Sequence, residues 1–157
     1  MTPNPRELLE AEATGWRDLQ RAFDGISSEA FETPGLTSHG WSAKVALYHV
    51  AAWMDDCGEQ IEAIRAGTFD GRVDTVSWIE EQNRRQFERC REIRADEVRS
   101  FAHRARDRMR GALQALPALT PDAAEWFEES GVLHYREHAR DLRGWADRLH
   151  FGAGNRP

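Results

Sequence analysis

Cysteine is scarce in this chain of 157 residues. Cys57 and Cys90 are the only two, and a disulfide framework needs several at close spacing. Lysine is scarcer still, with Lys44 alone against twenty arginines. No run of about 18 apolar residues occurs, which excludes a membrane-spanning helix. Nor does a charged start lead into the apolar stretch of a secretory leader, so a cytoplasmic protein with no membrane partner is expected. Strand signals are missing, for nowhere do β-branched residues alternate over about five or six positions. Excess positive charge is missing too. The net charge is −6 with acids and bases interleaved, whereas a nucleic-acid partner requires a basic surface to displace counterions from phosphates. Arg99, Arg104, Arg106, Arg108 and Arg110 crowd one stretch, but at ~100° per residue they fan around a helix. With Asp96, Glu97 and Asp107 among them they read as a solvated face, the alternative being an anion site.

What is present is helical periodicity. Six Trp and seven Phe supply the bulk for one core, and the length fits a single domain over residues 1–157. Asn4-Pro5-Arg6-Glu7 opens a first helix as cap, first-turn proline and capping box. Leu9, Ala13, Trp16, Leu19 and Phe23 form its apolar stripe, and Gly25 closes it. Residues 26–40 read as a connection with one short turn near Ser28–Phe31. Ser42 caps a second helix that runs to about Arg65, with Gly67 as its stop. After a polar loop at 67–74, residues 75–116 read as one long helix, or as two nearly collinear ones broken near Arg94–Asp96. Thr120-Pro121-Asp122 opens a short helical turn. A last helix covers roughly Val132 to Leu149, ended by Gly152 and Gly154. The expected fold is all-α.

Of the six histidines, His134 and His138 stand at i, i+4 on one face of the last helix, the spacing by which a helix offers two imidazoles to a metal. Alone the pair is a weak signal, and it is not the zinc-protease motif, since Glu137 precedes the second histidine. Its face continues into Leu142, Trp145 and Leu149, which puts it on the core stripe. His49 lies likewise on the inner side of the second helix, seven residues past Ser42, or ~10 Å at 1.5 Å per residue. His138 lies seven residues past Gly131. If the two helices run parallel, all three imidazoles meet at one level. Three ligands with a fourth position open is the catalytic zinc pattern, and the alternative is three core histidines satisfied by Tyr, Asp or water. Asp55, Asp56 and Glu59 are further candidates as ligands or imidazole partners, against a reading as surface charge. Tyr48, Tyr135 and Trp126 are candidates for a pocket mouth, against a reading as core. Glu125, Glu128 and Glu129 are candidates for a general base.

The stretch from Gly40 to Trp53, with Trp41-Ser42, Lys44, His49 and Trp53, resembles the W-S-x-K-x-x-x-x-H-L-x-x-W segment of DinB/YfiT-like proteins. His134-Tyr135-Arg136-Glu137-His138, with Trp145 behind it, is similar to the fourth-helix signature of that family. Trp78, Gln82, Asn83 and Arg84 resemble the third helix of its ClbS-like branch. Together these cover the chain from about Arg6 to Leu149. The resemblance implies a four-helix bundle with a long crossover and with the second and fourth helices parallel. It implies a divalent metal, nickel or zinc, on His49, His134 and His138, with Cys57 too deep in the bundle to join. It also implies an S-transferase or hydrolase acting on a small electrophile, using a low-molecular-weight thiol or water, and a homodimer. The ClbS-like branch implies instead a non-catalytic protein that protects against an electrophilic toxin.

Overall fold

A computed structural model describes residues 4–153. Six α-helices follow one another: α1 (Pro5–Asp24), α2 (Ala43–Ala66), α3 (Val76–Cys90), α4 (Ala95–Gln114), α5 (Pro121–Phe127) and α6 (His134–Ala153). A 3₁₀ turn at Ala30–Glu32 precedes α2, and a π-helical segment at Glu128–Leu133 joins α5 to α6. Among the described residues there is no strand, and no helix is long and apolar enough to cross a membrane. The helix starts lie where short-range chemistry dictates. Asn4, Ser42, Thr75 and Thr120 accept from the backbone N–H groups of Arg6, Val45, Trp78 and Ala123, which would otherwise be orphaned. Gly67 ends α2 in the left-handed region at φ 73°, where a side chain is disfavoured. Gly152 does not end α6, which continues to Ala153, and Gly154 lies outside the described residues.

Contacts along the helices fix their directions. Moving down α2, Tyr48 meets Phe101 (ring centroids 5.6 Å), and Gly58 and Glu62 meet Arg108, so α2 and α4 run parallel. Parallel neighbours need a crossover, and α3 is part of it. Trp53 meets Trp78 (5.9 Å), His49 meets Gln86, and the Cys90 thiol lies 3.8 Å from the Lys44 carbonyl, so α3 runs back along α2. The expected collinearity of α3 and α4 is therefore wrong: the break falls a few residues before the expected Arg94–Asp96, and the chain reverses there, through residues 91–94.

The last helix also departs from expectation. Cys57 reaches the Trp126 carbonyl (3.4 Å), Met54 meets the Tyr135 hydroxyl (2.8 Å), and His49 packs on His138 (5.1 Å). As α2 advances, its partners on α5 and α6 recede, so α2 and the final helix are antiparallel, not parallel. The reason is topological: α4 runs parallel to α2, and the short connection at residues 115–120 turns the chain back before the final helix, which does not begin near Val132. It begins at Pro121 and continues through the π segment, so His134 and His138 lie well inside a longer rod.

α1 completes the bundle, antiparallel to α4 (Leu9 with Arg110, Glu12 with Arg106, Trp16 with His103) and alongside the final rod in the same direction (Glu12 with Gly131 of the π segment, Asp18 with Arg143 of α6). α2 is the innermost helix, buried without interruption from Ser42 to Ala51, as a helix apolar nearly all round must be. Only Cys90 of α3 is buried, so α3 is a cover over α2, not a wall of the core.

Candidate metal centre

His49 stands in the second turn of α2. Its ring packs on Trp41 (4.9 Å between centroids) and meets Trp53 edge-on (6.3 Å). His134 and His138 come from the first turns of α6, stacked one turn apart as i, i+4 side chains are. The three Nε2 atoms converge: His49 to His134 is 2.9 Å, and His138 to His134 is 2.9 Å. One ligand atom from each residue falls within 4.8 Å of the others, so one ion could be held by all three. Ligands about 2.1 Å from a tetrahedral metal stand about 3.4 Å apart, inside that range. The meeting occurs by antiparallel approach, a quarter of the way along α2 and midway along the α5–α6 rod, and not by the equal depths expected of parallel helices.

The chemistry of the donor set fits a cation. His49 donates from Nδ1 to the Gln86 carbonyl oxygen at 2.8 Å, which leaves a lone pair on Nε2 aimed inward. A single proton on the Nε2 of His134 satisfies at most part of what three converging nitrogens require. Burial removes the other option, protonation. It lowers His49 to about 3, helped by the charge of His138 and opposed by the Gln86 bond. It lowers His138 to about 4, and holds His134 well below the usual imidazole range with help from both neighbours. Neutral imidazoles oriented by an outer hydrogen bond are the form that ligates metals.

The histidines open on a cleft of about 890 Å³. Trp41, Trp53 and Trp126 line it, as do Glu125 and Glu129 but not Glu128. Arg72, from the loop between α2 and α3, lies between the rings of Trp78 (4.6 Å) and Trp126 (4.8 Å) and pairs with Asp56 and Asp74. Other candidates go elsewhere. Asp55, Asp56, Glu59 and Tyr48 line a separate pocket of about 360 Å³, where Asp55 pairs with Arg108. Tyr135 is core. Cys57 is buried, its thiol pushed up by that burial, and it takes no part in the triad.

Of the crowded arginines, Arg99 and Arg104 are exposed, as a solvated face predicts, and the other three are half-buried ion-pair partners. Arg106 and Arg110 clamp Glu12, Arg108 holds Glu62, and Arg99 covers the ring of Phe31 (4.2 Å). Sequence reasoning missed Gln86 and Arg72. Gln86 is one helical turn beyond Gln82 on α3, and that spacing could have found it; Arg72 sits in a loop with no periodic signal at all. No family model, curated protein or solved structure matches this chain, and its functional reading stands on the geometry of this cleft.

Proposed function

We propose that the chain is a DinB/YfiT-like metal-dependent enzyme in which His49, His134 and His138 hold one zinc or nickel ion beside a cleft for a small electrophile. The observation that carries the reading is the convergence of three neutral imidazole nitrogens at the cleft. When bound, a divalent ion with an open position supplies Lewis-acid chemistry, lowering the pKa of water or of a low-molecular-weight thiol toward neutrality. The chain's own residues prepare that position. Gln86 fixes the tautomer and ring plane of His49. Trp41 and Trp53 shield the imidazole of His49. Glu129, whose carboxyl is raised by burial and by Glu125, Asp74 and Glu128, is the lining group suited to accept and return a proton. Association into a homodimer belongs to the same reading, and sedimentation showing only monomer at high micromolar concentration removes it.

Elemental analysis of protein purified without a histidine tag tests the centre. Wild type is expected to carry roughly one zinc or nickel per chain, and His138→Ala to lose it while keeping its helical circular dichroism. Equal metal in the two proteins rules the three-histidine site out. Turnover of an electrophile with a thiol or water separates an enzyme from a protein that only binds.

A further inference from the structure

An α-helix keeps its faces only while each residue adds about 100° of rotation. The rod from Pro121 to Ala153 does not keep that count. Ala123 and Leu142 are both 0% exposed and so share the core face, yet 19 positions separate them. On an unbroken α-helix that spacing leaves the two side chains about 100° apart, whereas with one residue taken out of the count they fall in line. Phe127 and Tyr135, also fully buried, stand about 80° apart by the first count and about 20° by the second. The missing rotation is taken up in the π segment, where the His134 N–H donates to the Glu129 carbonyl, five positions back instead of four.

Leu133 shows what the shift displaces. On an unbroken helix Leu133 follows Asp122, Trp126 and Glu129 onto the cleft face with Glu137 behind it, and His134 follows Phe127 into the core. In the structure Leu133 is 46% exposed, and neither it nor Arg140 lines the cleft. His134, His138 and Asp141 line it instead. The turn is held from α1. A Cβ on Gly131 would stand 3.3 Å from the Glu12 side chain, and the carboxylate of Glu12 accepts from the Tyr135 hydroxyl at 3.0 Å. One residue of α1 thus grips the rod within the turn and again just past His134.

We propose that the π segment at Glu128–Leu133 is the positioning element of the histidine cluster, with Leu133 as the residue it absorbs. It passes to His134 and His138 the inward places that helical spacing gives to Leu133 and Glu137. In the same step it returns Tyr135, Ala139 and Leu142 to the core. As the construction of a metal centre this rests on the metal reading above; as the phase of the rod it does not, because the core residues set that phase without an ion.

Two deletions test it, since they shorten the same segment and differ in phase. Removing Leu133 alone leaves an unbroken α-helix with the three imidazoles still directed at one another. Removing Val132 and Leu133 together leaves the rod one residue short and turns His134 and His138 about 100° off the cleft. Zinc affinity, read by competition with a chromogenic chelator, is expected within about threefold of wild type for the single deletion, whose ligand set is intact. For the double deletion it should fall by more than the about 10–100-fold that loss of an outer partner costs. Urea unfolding of the chelator-stripped proteins gives the metal-free measure. The single deletion should have a midpoint at least as high as wild type, and the double a lower one or no folded state. Loss of zinc or a lowered midpoint in the single deletion overturns the proposal, and so does a double deletion that keeps both. A wild type that binds no zinc sinks the metal centre, and the two midpoints still decide the phase.

Discussion

Gln86 lies outside the proposed metal position but orients one of its three imidazoles. Its carbonyl oxygen accepts the Nδ1 proton of His49, and without that bond the ring can turn or take the other tautomer. Gln86→Ala is expected to weaken metal binding about 10–100-fold, the usual effect of losing an outer partner, with little change in unfolding free energy because α3 is a peripheral cover. Competition with a chromogenic chelator measures it, and unchanged affinity means that the ring is oriented by Trp41 alone. Glu129 gives a pH test. Its folded pKa lies above the ordinary 4.5, so the fold favours the protonated carboxyl, and that contribution is lost as pH rises through the folded value. Glu129→Gln should therefore stabilise the metal-free protein at neutral pH. The gain should shrink as pH falls toward about 4.5 and vanish below it. Urea midpoints across that range decide the point, and a gain that grows on acidification contradicts the assigned direction.

Along α1 and the α5–α6 rod, one buried carboxylate joins elements far apart in sequence. Glu12 is 0% exposed and accepts from Arg106 (2.7 Å), Arg110 and the Tyr135 hydroxyl (3.0 Å), and its side chain packs 3.3 Å from where a Cβ on Gly131 would be. Glu12→Ala leaves two partly buried guanidinium groups and a buried phenol without their acceptor. We expect a loss of about 3 kcal/mol in urea unfolding; a change near zero indicates that solvent reaches the pair freely. Nothing in the sequence marks this network, because Arg106 is 94 positions away. The legible features were those whose physics acts over one helical turn: the caps at Asn4, Ser42 and Thr120, the stop at Gly67, and the His134/His138 pair. The directions of α3 and α6 were not legible. The reversal at residues 91–94 uses neither Gly nor Pro, and the π segment keeps helical continuity where Gly131 reads as a boundary. The three histidines do come together, but by antiparallel approach and not on the expected premise of parallel helices.

Across the whole molecule, charge is carried almost entirely by guanidinium and carboxylate, and the single ammonium side chain is placed inside. Lys44 is 8% exposed, with its Nζ 2.8 Å from Glu32 and 2.8 Å from the Ile93 carbonyl. It ties the 3₁₀ turn before α2 to the reversal between α3 and α4, at the end of the bundle where the crossover returns. Acylating reagents, electrophiles that free amines attack, therefore meet no accessible amine side chain in the native described fold. Lys44 should be acetylated slowly in native buffer and rapidly in about 8 M urea, where mass spectrometry of Arg-specific peptides reads the difference. Rapid native labelling means that this end opens readily. The same arrangement makes the chain its own footprinting probe, in which one modified residue reports when the crossover lifts off α2.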